Sequence, residues 1–201
     1  MSRKGPFRLG LTGSIAMGKT TTAGFFREIG VPVWDADAAV HALYGPDGAG
    51  ARAIASIVPA AVGPEGVDRA ALRAAIGADD GLLSRIEAAI HPLVAEDRQR
   101  FLEDHAAAPL VLFDIPLLFE TGADAWLDSV LVVTAPASVQ RARALAREGM
   151  TEETLRTILA RQLPDSEKRK RADYVIDTSL GLDNARRDVR RIVKRIGGDN
   201  A

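Results

Sequence analysis

The chain has 201 residues, of which 47% are apolar and 26% charged, and its formal net charge is −1 at pH 7. These values exclude a wholly disordered chain and argue against a general nucleic-acid partner, which would need a basic surface. The lack of cysteine excludes a disulfide framework, a thiol nucleophile and a cysteine zinc site, and favours a cytoplasmic protein. We see no signal peptide and no uncharged apolar run of about 18 residues, so we expect no membrane partner.

The first elements alternate between strand and helix. Phe7–Thr12 is a short apolar run that ends in a glycine-containing loop, which predicts a strand. We predict a helix over residues 18–29, a second strand over 31–34 and a helix over 36–44. Proline and glycine then predict a loop over residues 45–50.

Residues 51–105 show no strand pattern. Helical stretches are predicted at 51–57, 68–76 and 82–101, separated by proline and glycine. We expect the last of them to bend near His91 and Pro92, because proline removes a helical hydrogen bond. This region is interpreted as a helical insertion.

Two later runs, 110–113 and 130–133, are apolar throughout and end in Asp114 and Thr134. Runs of this kind are typical of interior strands in a parallel sheet. Helices are predicted at 137–147 and 151–163, a fifth strand at 174–176 and a basic helix at 182–196. Alternating strands and helices predict an α/β fold, with a five-stranded parallel sheet and right-handed crossovers.

The strongest motif is Gly13-Ser14-Ile15-Ala16-Met17-Gly18-Lys19-Thr20, which fits G-x-x-x-x-G-K-[ST] completely. Its position between a predicted strand and a predicted helix favours a phosphate-binding P-loop over a fortuitous turn. Backbone N–H groups would hold the phosphates, Lys19 would reach the β- and γ-phosphates, and the Thr20 hydroxyl could ligate Mg²⁺. The predicted nucleotide-binding residues are Gly13, Ser14, Ile15, Ala16, Met17, Gly18, Lys19, Thr20 and Thr21.

Two carboxylates follow the second predicted strand, at Asp35 and Asp37. Parallel strands place their carboxyl ends at one edge of the sheet, and residues i and i+2 of an extended chain share a face. One carboxylate could orient an acceptor hydroxyl, while the other holds Mg²⁺. The alternative is that Asp37 only caps the next helix.

The segment from Asp114 to Glu120 leaves a strand and continues through apolar residues. An apolar wall beside a phosphate site suits an acceptor with an adenine-like portion. Ordinary core packing is the alternative for these residues.

The last third of the chain is basic: residues 141–195 hold 15 Lys and Arg against 9 Asp and Glu. Cations in a mobile flap would neutralise charge during phosphoryl transfer and exclude water. The alternative is that these cations simply lie on solvent-exposed helix faces. The candidate cations are Arg143, Arg147, Arg161, Lys168, Arg169 and Arg171.

At this point the sequence resembles the dephospho-CoA kinase family over nearly its whole length. The resemblance is carried by residues 10–13 running into the P-loop, Asp35 with Asp37, 67–69 with Leu72, 91–94, 114–120, Gln140 with Arg143 and Arg147, Gln162, Lys168 and 172–176. The segment 114–120 is the most distinctive of these.

The resemblance implies that ATP donates its γ-phosphoryl group to the ribose 3′-hydroxyl of dephospho-CoA, giving coenzyme A and ADP. It implies a nucleotide-binding core (1–35, 106–139 and 173–201), a helical CoA-binding domain (36–105) and a lid (140–172). It also implies a chain that acts on a small molecule, and we expect a monomer.

The resemblance further assigns roles to single residues. Asp37 would be the base, with Lys19, Arg143 and Arg147 serving the transferring phosphates. Asp35 would support Asp37 and, with Thr20, the Mg²⁺. The residues expected toward the acceptor are Asp35, His91, Asp114, Leu117, Leu118, Glu120 and Arg161.

The chain departs from the family pattern at three positions. Ser14 and Ala16 replace two common glycines of the loop, which leaves its dihedral angles open. Thr178 stands where the family often has Asn, so a contact by that side chain cannot be transferred.

Three alternative functions stay open from the sequence. They are a kinase for another nucleoside or nucleotide, a nucleotide-gated binding module without catalysis, and a nucleic-acid ATPase. A GTPase is disfavoured because no Asn-Lys-x-Asp motif occurs.

Overall fold

The structure is a computed structural model and describes residues 5–199 of the chain. Its strands and helices, labelled in chain order, are β1 (Phe7–Thr12), α1 (Lys19–Glu28), β2 (Val33–Asp35), α2 (Ala36–Leu43), α3 (Ala49–Ala55), β3 (Val62–Gly63), β4 (Gly66–Val67), α4 (Arg69–Ala78), α5 (Leu82–Asp104), β5 (Leu110–Asp114), β6 (Ser129–Thr134), α6 (Ala137–Leu145), α7 (Glu152–Ala160), α8 (Asp165–Arg171), β7 (Tyr174–Asp177) and α9 (Leu182–Asp199). The described residues form two compact units. We call Asp35–Asp104 the helical unit and the remainder the core unit.

The core unit is built on a five-stranded sheet with the order β2-β5-β1-β6-β7. Strand β1 pairs in parallel with β5 on one side and β6 on the other, and β6 pairs in parallel with β7. The predicted five-stranded parallel sheet is therefore confirmed. In the register Leu11 lies opposite Asp114, so the loop after β1 and the end of β5 are neighbours.

The interior strands are apolar on both faces because both faces are buried: helices α1 and α9 pack on one face, and the Trp126 ring contacts Phe113 on the other. Leu9, Leu112 and Leu131 have no exposed surface. Phe26 of α1 and Val189 of α9 belong to the same buried cluster. This packing explains why the strands read as continuous apolar runs without alternation.

The helical unit has its own core. Its buried residues come from α3, α4 and α5, namely Ile54, Leu72, Leu82, Ile86 and Ile90, with Ala61 from the turn before β3. Helix α5 continues from Leu82 to Asp104 with Pro92 inside it, so the proline does not end the helix. Within the described residues, none of the helices combines the length and apolar character needed to cross a bilayer.

The prediction that residues 51–105 contain no strand was wrong. Strands β3 and β4 form an antiparallel hairpin in which Val62 lies opposite Val67 and Gly63 opposite Gly66. Each strand has only two residues. Such strands are too short to show the alternation on which a sequence prediction depends.

Candidate active site

The P-loop lies between β1, which ends at Thr12, and α1, which begins at Lys19. Ala16 and Gly18 adopt left-handed backbone angles, with φ of 62° and 88°. Gly13 is required for a different reason. A Cβ atom at this position would lie 2.5 Å from Val133 Cγ2 and 2.8 Å from the Val133 carbonyl oxygen. The loop can therefore pass close to β6 only with glycine at position 13.

Gly13→Ala should lower the free energy of unfolding by about 1–3 kcal/mol, because the added methyl group overlaps a backbone atom that cannot move aside. Nucleotide affinity should fall with it, since the loop must shift. Gly24→Ala is the matched control. Gly24 lies inside α1, and a Cβ there meets nothing within 4 Å. This control should gain about 0.5–1 kcal/mol in a urea melt, and a loss equal to that of Gly13→Ala would contradict the packing argument.

The loop leaves several backbone donors without a backbone acceptor. Among the described residues, no backbone acceptor pairs with the N–H groups of Ala16, Gly18 or Lys19. The first N–H groups of a helix lack intrahelical partners and carry its positive partial charge. Thr20 in the same turn is exposed. This geometry suits a phosphate chain with a cation beside it.

Two glutamines hold the middle of the loop. Gln162 Oε1 accepts a hydrogen bond from the Ile15 N–H at 3.0 Å, and Gln140 Nε2 donates to the Ile15 carbonyl at 2.9 Å. Both backbone groups of Ile15 are thus occupied by side chains, one from α6 and one from the segment that follows α7. The sequence prediction placed Ile15 among the nucleotide contacts, but its N–H group is already engaged.

Lys19 and Asp114 form an ion pair at the carboxyl ends of β1 and β5. Lys19 Nζ lies 2.6 Å from Asp114 Oδ1, and Asp114 is only 2% exposed. An ammonium group has three N–H donors, so one contact to Asp114 leaves donors for phosphate oxygens. We predicted Asp114 on the acceptor side, and the structure places it on the P-loop lysine.

The two unusual residues of the loop fit its surroundings. The Ala16 side chain packs in a small apolar cluster with Ala144 and Leu155, although its left-handed backbone favours glycine. Ser14 is 4% exposed, and its carbonyl accepts a hydrogen bond from the Met17 N–H at 3.2 Å. Ser14 and Ala16, which depart from the family pattern, are therefore compatible with the hydrogen-bonded turn of the loop.

Thr178 joins three elements behind the loop. Its hydroxyl lies 3.0 Å from the Met17 carbonyl oxygen and 3.2 Å from that of Thr134. Arg143 donates to the Thr178 hydroxyl at 2.8 Å and to its carbonyl at 2.9 Å. The hydroxyl proton is thus directed at backbone carbonyl oxygens, and one of the two lone pairs of the oxygen accepts from Arg143. Sequence reasoning missed this role, because a threonine after a strand carries no distinctive pattern.

A cavity of about 280 Å³ opens beside the first turn of α1. Apolar side chains form one part of its wall, and Arg143 and Arg147 form another. Its lining residues are Ala16, Gly18, Thr21, Thr22, Phe25, Arg143, Arg147, Thr178, Gly181, Leu182 and Ala185.

The two acids that follow β2 differ in what they contact. Asp35 is the N-cap of α2, and its Oδ1 atom accepts a hydrogen bond from the Ala38 N–H at 3.0 Å. The alternative that Asp37 caps this helix is therefore wrong. Asp37 lies in the first turn, is exposed, and has no hydrogen bond or ion pair to any described residue. Its carboxylate is the one available for other chemistry.

The turn after β5 contains both exposed and buried residues. Leu117 is 40% exposed and available to a ligand. Leu118 has no exposed surface, and its Cδ1 atom would lie 2.7 Å from a Cβ at Gly10. The prediction that Leu118 contacts the acceptor is therefore replaced by a core role. His91 is exposed on α5, and Arg161 is exposed at the end of α7.

Glu120 connects this turn to α8. Its Oε1 atom accepts a hydrogen bond from the Leu163 N–H at 2.7 Å and lies 2.8 Å from Lys168 Nζ. Lys168 is fully buried. Three of the cations proposed for a mobile flap are thus already engaged, since Arg169 pairs with Asp165 and Arg171 stacks over Phe119. Lys168 in particular cannot act as a free cation.

Burial works against the charged form of Glu120, but the Lys168 ammonium and the Leu163 N–H outweigh it and hold its pKa below the ordinary value of 4.5. A lowered pKa in the folded state means that the unfolded chain binds the proton more tightly. The Glu120–Lys168 ion pair therefore contributes its full share to the free energy of unfolding above the ordinary pKa of Glu120. This contribution is lost as the pH falls through the lower pKa of the folded state.

Glu120→Gln should remove the ion pair and leave a buried ammonium without its anion, a change that costs about 3–5 kcal/mol in other buried pairs. Thermal melts of the wild type should show a steeper loss of stability below pH 4.5 than melts of the variant. Glu167→Gln serves as control, because Glu167 pairs with Lys170 on the same helix at the surface. Equal pH dependence in wild type and Glu120→Gln would show that this carboxylate does not matter to stability.

The described residues contain no group of three or more His, Asp or Glu arranged to bind a metal ion. Kinase sites bind Mg²⁺ through one or two protein ligands and the nucleotide phosphates, so a shared ion of this kind needs no such group. The exposed Thr20 hydroxyl, one helical position beyond Lys19, is a suitable donor for such a shared ion.

Comparison with known proteins identifies the family. A family model described as dephospho-CoA kinase matches residues 7–184. The chain belongs to the dephospho-CoA kinase family. The resemblance inferred from the sequence is therefore confirmed, and the match includes the P-loop, the Asp pair and the 114–120 segment.

Curated relatives agree with this assignment. A dephospho-CoA kinase of Jannaschia sp. is 56% identical over 94% of this chain and 97% of its own. One of Cereibacter sphaeroides is 57% identical over 95% of this chain and 96% of its own. A crystal structure from Thermus thermophilus is 34% identical with a TM-score of 0.80, and it covers 96% of this chain and 98% of its own. The chain therefore shares its fold with this solved structure over nearly its whole length.

Proposed function

We propose that the chain transfers the γ-phosphoryl group of ATP to the ribose 3′-hydroxyl of dephospho-CoA, giving coenzyme A and ADP. The observation that carries this proposal is the P-loop lysine, fixed at 2.6 Å from the buried Asp114 in a chain of the dephospho-CoA kinase family. The position of Lys19 is set before any nucleotide arrives. Preorganised charge of this kind is what phosphoryl transfer requires of a protein.

ATP would bind with its phosphates on the free N–H groups of the loop and on the remaining donors of Lys19. Its adenine would enter the 280 Å³ cavity beside α1. Leu182 and Phe25 offer apolar surface there for the base. Because the single proton of the Thr178 hydroxyl is directed at backbone carbonyl oxygens, this hydroxyl would not donate to the base, which would be held by stacking and by backbone groups.

Mg²⁺ would enter with ATP and be held by the Thr20 hydroxyl and by phosphate oxygens, with Asp35 contributing directly or through water. Asp35 can do so because only its Oδ1 atom is used by the helix cap. When bound, the ion supplies charge neutralisation across the β- and γ-phosphates. The helix cap keeps the Asp35 side chain in one orientation.

Asp37 would take the proton of the 3′-hydroxyl as that oxygen forms its bond to the γ-phosphorus. The bond from the γ-phosphorus to the β-γ bridging oxygen breaks, and ADP leaves with that oxygen. Lys19 would stabilise the transferring phosphates, and Arg143 and Arg147, both on the wall of the nucleotide cavity, would add positive charge. Helices α6–α8, the proposed lid, would exclude water during the step.

A coupled ADP-release assay with ATP and dephospho-CoA tests this function, with mass spectrometry to identify coenzyme A as the product. Adenosine, other nucleosides and nucleoside monophosphates form the comparison panel. A preference for one of these would indicate a different kinase. ATP binding without transfer to any acceptor would indicate a binding module, and hydrolysis stimulated by RNA or DNA would indicate a nucleic-acid ATPase.

Three further statements stay predictions: a cytoplasmic location, a monomeric state and the absence of a nucleic-acid partner. The surface of α9 carries much of the basic excess, but Arg186, for example, already pairs with Glu28. Size-exclusion chromatography with light scattering would measure the oligomeric state.

A further inference from the structure

A basic cluster lies in the helical unit, away from the P-loop in sequence. Arg69 Nη2 lies 3.4 Å from His41 Nδ1, and the Arg69 guanidinium lies 5.8 Å from the centre of the Tyr44 ring. Arg69 and His41 are exposed, whereas Tyr44 is half-buried. Neither the P-loop chemistry nor the roles assigned by the family resemblance uses these three residues.

The charge of Arg69 is not neutralised by the protein. No carboxylate of the described residues lies within ion-pair distance of it, whereas Arg85 pairs with Asp79 at 2.6 Å and Arg100 with Glu96 at 3.0 Å in the same unit. Arg69 is also the first residue of α4, where the helix dipole disfavours a cation. Its position therefore serves neither a salt bridge nor the helix, and the guanidinium is available to an anion.

The backbone around Arg69 is fixed against the end of α2. Gly66 has φ of 94°, and a Cβ atom there would lie 2.2 Å from the Tyr44 carbonyl oxygen. The Val67 N–H donates to that same oxygen at 2.9 Å. Asp68 then caps α4, and its Oδ1 atom accepts from the Ala70 N–H at 2.8 Å. An anion that binds Arg69 thus meets a backbone that is already ordered, which reduces the entropy lost on binding.

His41 places this cluster at a defined spacing from Asp37. The two residues are four apart on α2, so they share a helix face and are separated by about 6 Å along the axis. In dephospho-CoA the 3′-hydroxyl is on C3′, and the 5′-diphosphate is linked through C5′ to the adjacent ring carbon, C4′. A 3′-hydroxyl at Asp37 therefore keeps the diphosphate of the same nucleotide within about one helical turn of Asp37, which is the spacing of His41 from Asp37.

We propose that Arg69, supported by His41, binds the 5′-diphosphate of dephospho-CoA and so selects an acceptor that carries this group. The inference rests on the proposed function, because it takes Asp37 as the residue that meets the 3′-hydroxyl. A guanidinium matches two phosphate oxygens at once, and Tyr44 holds the guanidinium plane from one side.

The test is steady-state kinetics on the full chain, with ATP and dephospho-CoA varied separately. Arg69→Gln should raise the KM for dephospho-CoA by roughly tenfold to a hundredfold. The KM for ATP should be unchanged and kcat should fall much less. Arg69→Lys should recover part of the affinity, because a charge without the planar fork remains. The KM of the wild type should rise with ionic strength more steeply than that of Arg69→Gln.

Arg73→Gln is the matched control, since Arg73 is an exposed arginine one turn further along α4 and should leave both KM values unchanged. A normal KM for dephospho-CoA in Arg69→Gln would overturn the inference while the proposed function stands. Parallel rises in both KM values with a lower melting temperature would also overturn it, because they indicate a structural role. If Arg69→Gln does not fold, His41→Gln and the salt dependence of the wild type decide in its place. Failure of the wild type to phosphorylate dephospho-CoA would instead contradict the proposed function.

Discussion

Replacing Lys19 by alanine is expected to abolish measurable phosphoryl transfer, with a fall in kcat/KM of roughly 10³-fold or more. The Lys19 ammonium lies at the carboxyl end of β1, where the phosphates would bind, and its side chain is only 17% exposed. In such a site a positive charge stabilises the transferring phosphoryl group more strongly than it would in water. The loss should be measured in the ADP-release assay, with ATP affinity followed by calorimetry.

Loss of activity in Lys19→Ala has a second possible source, because the substitution also removes the cationic partner of Asp114. We expect the variant to unfold about 3 kcal/mol more easily than the wild type for this reason. The double variant Lys19→Ala/Asp114→Asn separates the two effects. It should regain stability in a thermal melt and stay inactive.

Lys194→Ala, which alters an exposed lysine of α9, should leave both stability and turnover unchanged. If the double variant recovered turnover together with stability, the role of Lys19 in catalysis would be refuted, since the charge would then matter only for folding.

The structural features near this site that the sequence predicted correctly, a loop between β1 and α1 and a strand that ends at Asp114, depend on local patterns. Gly13 and Lys19 belong to a motif whose spacing is set by the geometry of one turn. Asp114 could be placed at the end of a strand because the four residues before it are all apolar, and the structure shows them buried. The sequence did not predict the strand order, but the general rule that ligands gather at the carboxyl ends of parallel strands sufficed to place these residues at one edge of the sheet.

The parts that the sequence did not predict depend on contacts between distant segments. Thr178 binds the Met17 carbonyl across 161 positions, and Gln162 binds the Ile15 N–H across 147. A single side-chain hydrogen bond of this kind produces no periodic pattern in the sequence from which it could be predicted. The same holds for Lys168, because a buried lysine and a mobile surface lysine look identical in a basic helix. Only the position of Glu120 distinguishes them.

The contrast between Leu117 and Leu118 has a similar origin. Both are leucines in one turn, yet one is 40% exposed and the other has no exposed surface. Outside a regular helix or strand, no fixed period tells which of two neighbouring side chains faces the core. The Asp35 and Asp37 pair posed the same difficulty, and the helix cap resolves it in favour of Asp37 as the free acid.

Asp37→Asn should lower kcat by roughly 10²- to 10⁴-fold while the KM for ATP stays close to that of the wild type. The amide keeps the shape of the carboxylate but cannot accept the proton of the 3′-hydroxyl. Because the transition state of phosphoryl transfer is largely dissociative, orientation of the hydroxyl contributes along with basicity, and asparagine retains part of that orientation. We therefore expect the lower end of this range, measured at saturating dephospho-CoA.

Asp35→Asn is the matched control, because asparagine caps a helix about as well as aspartate and so preserves α2. This variant should lose less activity than Asp37→Asn and should need more Mg²⁺ to reach its maximum rate. The free energy of unfolding should be close to that of the wild type in both variants, since neither cap nor packing is lost. Near-normal turnover in Asp37→Asn, or a larger loss in Asp35→Asn, would show that the capping acid and not the free one prepares the acceptor hydroxyl.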